Sequence, residues 1–285
     1  MAVEILTGFI GGGKSYNAVL RVLDHLAKGG KVVTNLDLCV EKWMSHYPDY
    51  VNAIGGKVWK DEEENEYNAL GIREVLRKYY GWRLHDGQIS FIDDRALRRH
   101  GAVRQIPRGS SDCPVLCVFD EAADFWDSLE YKSSDREFLS LVRHSRKLNI
   151  DFLFIIQDVT ELNKRIRNQC QYLTRCIDMD TFRVPGLKIS LRWIPWIRGT
   201  FRVVKFFRSQ WENQAAPDPV GSRFVPKASN VYGCYRTDAV HMDLPVKVGE
   251  TTDYRGFGAV ETGPRFAWGS FAAGIAMGVL TGLFL

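Results

Sequence analysis

The chain has 285 residues, of which 45% are hydrophobic and 25% charged, and these are ordinary values for a globular protein with ample core. The formal net charge of +4 is small, so the overall charge gives no support for nucleic-acid binding. None of the six cysteines forms a C-x-x-C motif or is separated from a histidine by the number of residues typical of a zinc site. We therefore interpret them as reduced core thiols of a cytoplasmic domain.

The first predicted elements surround a glycine-rich loop. Residues 3–7 form a short apolar run typical of a strand, and residues 14–28 have the apolar spacing of a helix that ends at Gly29-Gly30. Between them, Gly8-Phe9-Ile10-Gly11-Gly12-Gly13-Lys14-Ser15 fits the phosphate-loop pattern G-x-x-x-x-G-K-[ST]. A chance glycine-rich turn is the alternative, and the flanking strand and helix make it the weaker interpretation.

The residue types of this loop suit a nucleoside triphosphate. Glycines let the backbone curl until successive N–H groups face phosphate oxygens, and the start of the helix adds positive potential. Lys14 is expected to reach the β- and γ-phosphates, and the Ser15 hydroxyl to bind Mg²⁺. The predicted nucleotide-binding residues are Gly8, Phe9, Ile10, Gly11, Gly12, Gly13, Lys14, Ser15 and Tyr16.

The next hundred residues carry weaker signals. We predict a strand over residues 31–36, a helix near 40–48, an amphipathic helix over 70–80 and a strand over 89–92. A basic group follows, made of Arg95, Arg98, Arg99, Arg104 and Arg108. This group is either a solvated, flexible segment or a basic loop that faces a pore or nucleic acid.

A second motif completes the predicted site. Residues 115–119 form a continuous apolar run, as in a strand buried on both faces, and Asp120-Glu121 follows directly. Asp120 is expected to hold Mg²⁺ together with Ser15, and Glu121 to act as the general base for an attacking water. The two motifs in this order predict binding and hydrolysis of ATP.

Three further side chains are candidates for catalysis. A helix predicted over residues 135–147 ends in basic residues, which either complement the helix dipole or supply an arginine finger to a neighbouring subunit, namely Arg143 or Arg146. Gln157 ends the apolar strand predicted over 151–157, and strand ends converge at the ligand crevice of α/β sheets. Gln157 is therefore a candidate sensor of the γ-phosphate or the lytic water, with a loop cap as the alternative.

The remainder of the chain changes character. A helix over 160–168 and a strand over 172–177 are followed by hairpin-like β structure from 181 and by extended, linker-like chain over 210–264. The uncharged run from Phe266 to Leu285 is long enough to cross a bilayer as a helix of about 20 residues. A buried core helix is the alternative. Because basic residues lie only before this run, the N-terminal side is expected in the cytoplasm.

The combination resembles the zonula occludens toxin family, which includes the gene I assembly proteins of filamentous phages. The matching residues are the loop Gly8–Ser15, Thr34-Asn35, Phe119-Asp120-Glu121, and Arg143-His144 followed by 151–156. The family is in turn similar to the ring-forming FtsK/HerA motors. The resemblance implies a ring of identical subunits, a hexamer by fold analogy, with inner-membrane lipid, phage coat or assembly proteins and phage DNA as candidate partners.

These observations predict an α/β fold of the P-loop NTPase type, with a mainly parallel sheet flanked by helices. The predicted domains are an ATPase domain over 1–180, a β-rich extension and linker over 181–264, and a transmembrane helix over 265–285. We expect an ATPase, anchored in the host inner membrane with ATP and Mg²⁺ bound, that drives filamentous phage assembly and extrusion. The alternatives are a DNA-packaging or DNA-translocating ring ATPase and a membrane scaffold that binds nucleotide without hydrolysing it.

Overall fold

The structure is a computed structural model, and it describes residues 3–43, 59–60, 66–98, 102–128, 136–182, 194, 197–213 and 219–236. The chain divides into two compact units, Met1–His241 and Met242–Leu285, and every described residue belongs to the first. The predicted transmembrane segment Phe266–Leu285 lies outside the described residues. Within the described residues, no helix combines the length and apolar character that a membrane crossing requires.

Ten strands are described. They are β1 (Val3–Thr7), β2 (Lys31–Thr34), β3 (Trp59–Lys60), β4 (Glu66–Tyr67), β5 (Ile89–Phe91), β6 (Val115–Phe119), β7 (Ile150–Ile155), β8 (Tyr172–Asp178), β9 (Thr200–Phe207) and β10 (Gly221–Pro226). Strands β3 and β4 pair with each other as a separate antiparallel ladder. The other eight form one sheet in the order β10-β9-β8-β1-β7-β6-β2-β5.

The sheet is parallel over six strands and antiparallel at one side. Strands β5, β2, β6, β7, β1 and β8 run in the same direction, and β9 pairs antiparallel with both β8 and β10. The predicted α/β fold with a mainly parallel sheet is therefore confirmed. Because β7 lies between β1 and β6, the strand that ends before Gln157 separates the phosphate-loop strand from the Asp120 strand.

Helices cover both faces of this sheet. They are α1 (Lys14–Ala27), α2 (Ile72–Val75), α3 (Asp94–Arg98), α4 (Arg136–His144), α5 (Lys164–Arg167), α6 (Arg208–Asn213) and α7 (Ser229–Tyr232). Helix α2 continues as a π-helical turn, Leu76–Tyr80. Short 3-10 turns span Ala102–Gln105, Ala122–Asp124, Ser145–Leu148 and Val159–Glu161.

The core consists of two apolar clusters, one on each face of the sheet. Helix α1 packs Val19, Val22 and Leu23 into the first cluster, together with Ile72 of α2. The second cluster holds α4 and is rich in aromatic rings, with Trp126 stacked on Phe138 at a centroid distance of 4.1 Å. Alternate residues of the central strands enter opposite clusters, which explains why their sequences are apolar throughout.

Two predicted helices differ from the structure. Residues 40–43 are not helical, because Trp43 instead bridges Ala69 through backbone hydrogen bonds, and 44–48 lie outside the described residues. The helix predicted over 160–168 is split into a 3-10 turn capped by Asp158 and the short helix α5 capped by Asn163. The Asp158 and Asn163 side chains each cap the start of a helical turn, so the single predicted helix is divided in two.

The prediction of linker-like chain from residue 210 is wrong for residues 219–236. Strand β10 extends the main sheet, and α7 follows it directly. Val225, Val231, Cys234 and Tyr235 are buried in the same cluster as α1. We name residues 227–236 the return segment, because this stretch brings the chain back from the β10 edge to α1 and the end of β2.

Candidate nucleotide-binding site

The glycine-rich loop connects β1 to α1 with a backbone that requires glycine at two positions. Gly13 has φ 86°, and a Cβ there would lie 2.5 Å from the Phe201 ring. A Cβ at Gly8 would lie 2.3 Å from the Cys176 carbonyl oxygen of the neighbouring strand β8. Glycine is therefore needed both for the left-handed turn and for the close approach of the loop to the sheet.

Lys14 begins α1 and folds back over this loop. Its Nζ donates hydrogen bonds to the Gly8 carbonyl at 2.9 Å and to the Phe9 carbonyl at 3.3 Å. The ammonium group is thus held against the loop, and the first backbone N–H groups of α1 lack helical partners. This arrangement concentrates positive potential where a phosphate group would lie.

Ser15 and Asp120 come together from the start of α1 and the end of β6. The Ser15 hydroxyl donates to Asp120 Oδ2 at 3.4 Å. A hydroxyl and a carboxylate are oxygen ligands of the kind that Mg²⁺ prefers. The donor set therefore fits Mg²⁺, with Ser15 and Asp120 as the side chains that would hold it.

Glu121 follows Asp120 in an unusual backbone conformation. Its φ of 45° and ψ of 46° place it in the left-handed region, which is uncommon for a residue with a side chain. Its N–H donates to Asp120 Oδ1 at 3.0 Å, so the two acids form one tight turn. Such backbone strain concentrates at functional sites.

Asn35, just after β2, holds this acidic turn from the neighbouring strand. Its Oδ1 accepts from the Asp120 N–H at 2.8 Å, and its Nδ2 donates to the Asp120 carbonyl at 3.1 Å. Nδ2 also donates to Asp94 Oδ1 at 3.2 Å. Asn35 was not among the predicted site residues, although its position directly after a parallel strand is a signal for such a role.

Gln157 follows β7 at the same edge of the sheet. Its carbonyl accepts from the Thr7 hydroxyl at 2.7 Å, which ties the end of β7 to the end of β1. The side chain is exposed and lines the same cavity as Lys14 and Glu121. The structure thus brings Gln157 to the predicted place.

The side chains surround a cavity of about 480 Å³. Its lining comprises Ile10, Gly11, Gly12, Gly13, Lys14, Ser15, Tyr16, Leu36, Asp37, Asp120, Glu121, Gln157, Phe201, Tyr232, Tyr235 and Arg236. Six of these residues were not predicted as site residues, namely Leu36, Asp37, Phe201, Tyr232, Tyr235 and Arg236. Tyr232, Tyr235 and Arg236 belong to the return segment, in the stretch predicted to be linker.

Three residues of the predicted binding set have different surroundings. Gly8 does not line the cavity. Phe9 is 77% exposed and does not line the cavity, and its ring lies 5.8 Å from the Arg175 guanidinium. Tyr16 lines the cavity but is only 1% exposed. Its hydroxyl donates to the Pro226 carbonyl at 2.8 Å and accepts from the Ala228 N–H at 2.7 Å, so it fixes the start of the return segment.

The candidate arginine fingers lie away from this cavity. Arg143 and Arg146 are exposed residues near the end of α4, which leads into the start of β7. They therefore lie at the edge of the sheet opposite to the phosphate loop, and a role in a neighbouring subunit stays a prediction. In the basic group, Arg98 lies 5.4 Å from the Phe125 ring and Arg104 lies 3.9 Å from Glu137.

A parallel sheet with a G-x-x-x-x-G-K-S loop after its first strand, and an acidic turn two strands away, defines a P-loop nucleotide-binding protein. The family model described as Zonular occludens toxin (Zot) matches residues 2–192. The chain therefore belongs to this family, and the resemblance seen in the sequence is confirmed.

Individual relatives are phage proteins. The Gene 1 protein of Enterobacteria phage I2-2 is 26% identical over 187 residues, or 65% of this chain and 42% of that protein. The Gene 1 protein of Enterobacteria phage M13 is 23% identical over 244 residues, or 83% of this chain and 59% of that protein. The chain thus matches about half the length of these relatives.

Solved structures with a similar arrangement include the N-terminal domain of zonular occludens toxin from Neisseria meningitidis. It is 15% identical, covers 82% of this chain and 98% of that domain, and has a TM-score of 0.40. The genome packaging NTPase B204 from Sulfolobus turreted icosahedral virus 2, in complex with ATP-gammaS, is 12% identical with a TM-score of 0.39, covering 79% of this chain and 97% of B204.

Proposed function

We propose that this protein is an ATPase of phage assembly. The observation that carries the proposal is the single cavity shared by Lys14, Ser15, Asp120, Glu121 and Gln157. Membership of the zonular occludens toxin family supports the connection to phage proteins.

Each side chain has a distinct task in this proposal. The loop N–H groups and Lys14 bind the phosphates, and Glu121 accepts a proton from the attacking water. Gln157 orients that water from the end of β7. When bound through Ser15 and Asp120, Mg²⁺ would supply charge neutralisation for the phosphate oxygens.

The setting of the reaction is a further part of the proposal. We infer that the enzyme works as a ring of identical subunits at the host inner membrane, with Arg143 or Arg146 offered to a neighbour's nucleotide. The predicted span Phe266–Leu285 would anchor it, with the ATPase domain in the cytoplasm. ATP hydrolysis would move phage coat or assembly proteins and thereby extrude the virion. Phage DNA is the alternative substrate.

The catalytic assignment is tested by ATP turnover of the purified full-length chain. Glu121→Gln is expected to lower kcat by about 10²–10⁴-fold, because it removes the general base and leaves the binding residues in place. Lys14→Ala is expected to lose ATP binding as well as turnover, because it removes the phosphate-binding ammonium group.

Lys28→Ala is the matched control, since Lys28 lies at the far end of α1 in an exposed pair with Asp24. Turnover of both site variants at the rate of the Lys28→Ala control would remove the assignment. ATP binding without turnover in the wild-type chain, including the assembled ring, would instead favour a nucleotide-binding scaffold.

A further inference from the structure

The nucleotide cavity extends beyond the phosphate loop to a wall built by the return segment. Tyr232, Tyr235 and Arg236 line the same cavity as the residues expected to hold phosphate and metal. A triphosphate at Gly11–Ser15 leaves the nucleoside part of the ligand to be accommodated, and this aromatic wall lies in the same cavity.

The wall is fixed to the rest of the domain by backbone hydrogen bonds. Cys39 N–H donates to the Cys234 carbonyl at 2.9 Å, and Arg236 N–H donates to the Asp37 carbonyl at 3.0 Å. Trp43 Nε1 donates to the Gly233 carbonyl at 2.9 Å. The return segment is therefore held in place by the chain that follows β2, without help from a ligand.

Within the wall, Tyr232 is the tyrosine with accessible surface. Tyr16 and Tyr235 are only 1% and 3% exposed, whereas Tyr232 is half-buried. The Tyr232 ring centroid lies 5.0 Å from that of Tyr16 and 6.4 Å from that of Tyr235, the latter nearly parallel at 24°. Two buried rings thus hold a third, which keeps the orientation of Tyr232 fixed at the cavity.

A polar pair lines the same cavity as this ring. Arg236 Nε lies 2.8 Å from Asp37 Oδ2, and both residues border the cavity together with Tyr232. A fixed aromatic ring in one cavity with a guanidinium and a carboxylate offers a stacking surface together with hydrogen-bond donors and acceptors. A planar heterocycle can use all of these groups, whereas a bare polyphosphate gains nothing from the aromatic ring.

We propose that Tyr232 stacks on the base of the bound nucleotide, and that the site takes purine nucleoside triphosphates in preference to pyrimidine ones. The proposal rests on the proposed function, because it assumes that the phosphate loop binds the triphosphate. Purines present the larger π-surface, so the preference follows from stacking area.

The experiment compares the affinity for ATP with that for inorganic tripolyphosphate, which has no base. In Tyr232→Ala, ATP is expected to bind about tenfold more weakly, as for other lost base–aromatic stacks, while tripolyphosphate binds as in wild type. Tyr232→Phe keeps the ring and is expected to match wild type. Tyr79→Ala, an exposed tyrosine on the π-helical turn outside the cavity, is the matched control.

Two outcomes would overturn the proposal. Unchanged ATP affinity in Tyr232→Ala would show that the ring does not contact the base, and equal loss of both ligands would show that it merely supports the loop. Failure of the proposed function is distinguishable, because Lys14→Ala would then leave tripolyphosphate binding intact. Wild-type protein should also bind ATP and GTP more tightly than CTP and UTP, and equal affinities for all four would contradict the purine preference.

Discussion

Among single residues, Asn35 shows how a neutral side chain can control a charged site. Its amide satisfies both the N–H and the carbonyl of Asp120, the residue at which β6 ends. The turn that carries Glu121 in its left-handed conformation is therefore fixed from β2. Asn35 acts through Asp120 and Glu121, so it is a positioning residue.

Asn35→Ala is expected to lower kcat by about 10–100-fold while the affinity for tripolyphosphate stays unchanged. The substitution leaves two half-buried backbone groups of Asp120 without their partner, at a cost of about 1–3 kcal/mol. We expect the acidic turn to shift so that these groups find other partners, and the shift would displace Glu121 and slow the reaction. Steady-state kinetics and tripolyphosphate binding check this, with the exposed Asn168→Ala as control. An unchanged kcat would show that the turn holds its own geometry.

The residues of the two motifs were predictable because local geometry determines them. A loop between β1 and α1 and the ends of parallel strands meet at one edge, so Lys14, Asp120 and Gln157 follow from sequence order alone. Tyr232 and Arg236 could not be predicted in this way. They reach the cavity through a segment that returns from the β10 edge of the sheet, and no spacing in the sequence encodes that path.

At the level of secondary-structure elements, one hydroxyl group makes two hydrogen bonds between α1 and the chain at the end of β10. Tyr16 lies in the first turn of α1 and is almost fully buried. Its hydroxyl both donates to the Pro226 carbonyl and accepts from the Ala228 N–H. Helix α1 and the return segment are therefore joined next to the phosphate loop.

Tyr16→Phe is expected to reduce the free energy of unfolding by about 1 kcal/mol, because it removes the hydroxyl group from two part-buried hydrogen bonds. Urea unfolding of the purified chain measures this. Tyr172→Phe on β8 is the control, because it makes the same chemical change at a half-buried site. Equal stability of both variants and wild type would mean that the hydroxyl contributes nothing net.

The strands differ in how clearly the sequence predicts them. Strands β6 and β7 are buried on both faces, so their apolar runs were legible. Strand β10 lies at the edge of the sheet, and Val225 is its only buried residue. Its sequence therefore lacks the apolar pattern of a buried strand and is typical of a loop. Its assignment depends on pairing with β9, which is a tertiary contact.

At the scale of the whole molecule, one buried carboxylate connects four elements. Glu4 in β1 accepts from Arg21 of α1 at 2.8 Å and from Lys205 of β9 at 3.2 Å, and it also accepts from the Thr174 hydroxyl of β8. Burial raises the pKa of Glu4, but the hydrogen bond and charge of Arg21, the charge of Lys205 and the hydrogen bond from Thr174 outweigh it and lower this pKa to about 2.

A lowered pKa makes stability depend on pH. Glu4 contributes stability above its unfolded pKa of 4.5, and this contribution is lost as the pH falls from 4.5 towards about 2. The loss is of the order of 3 kcal/mol. Urea unfolding of wild type should show a fall of this size over that range, and Glu4→Gln should show a correspondingly smaller one. Parallel pH profiles would refute the role of Glu4.

Arg236 connects the ligand cavity to two separate parts of the chain. It belongs to the return segment, it lines the cavity, and its Nε lies 2.8 Å from Asp37 Oδ2 on the chain that follows β2. A ligand that engages either member of this ion pair would therefore act on both segments at the same time.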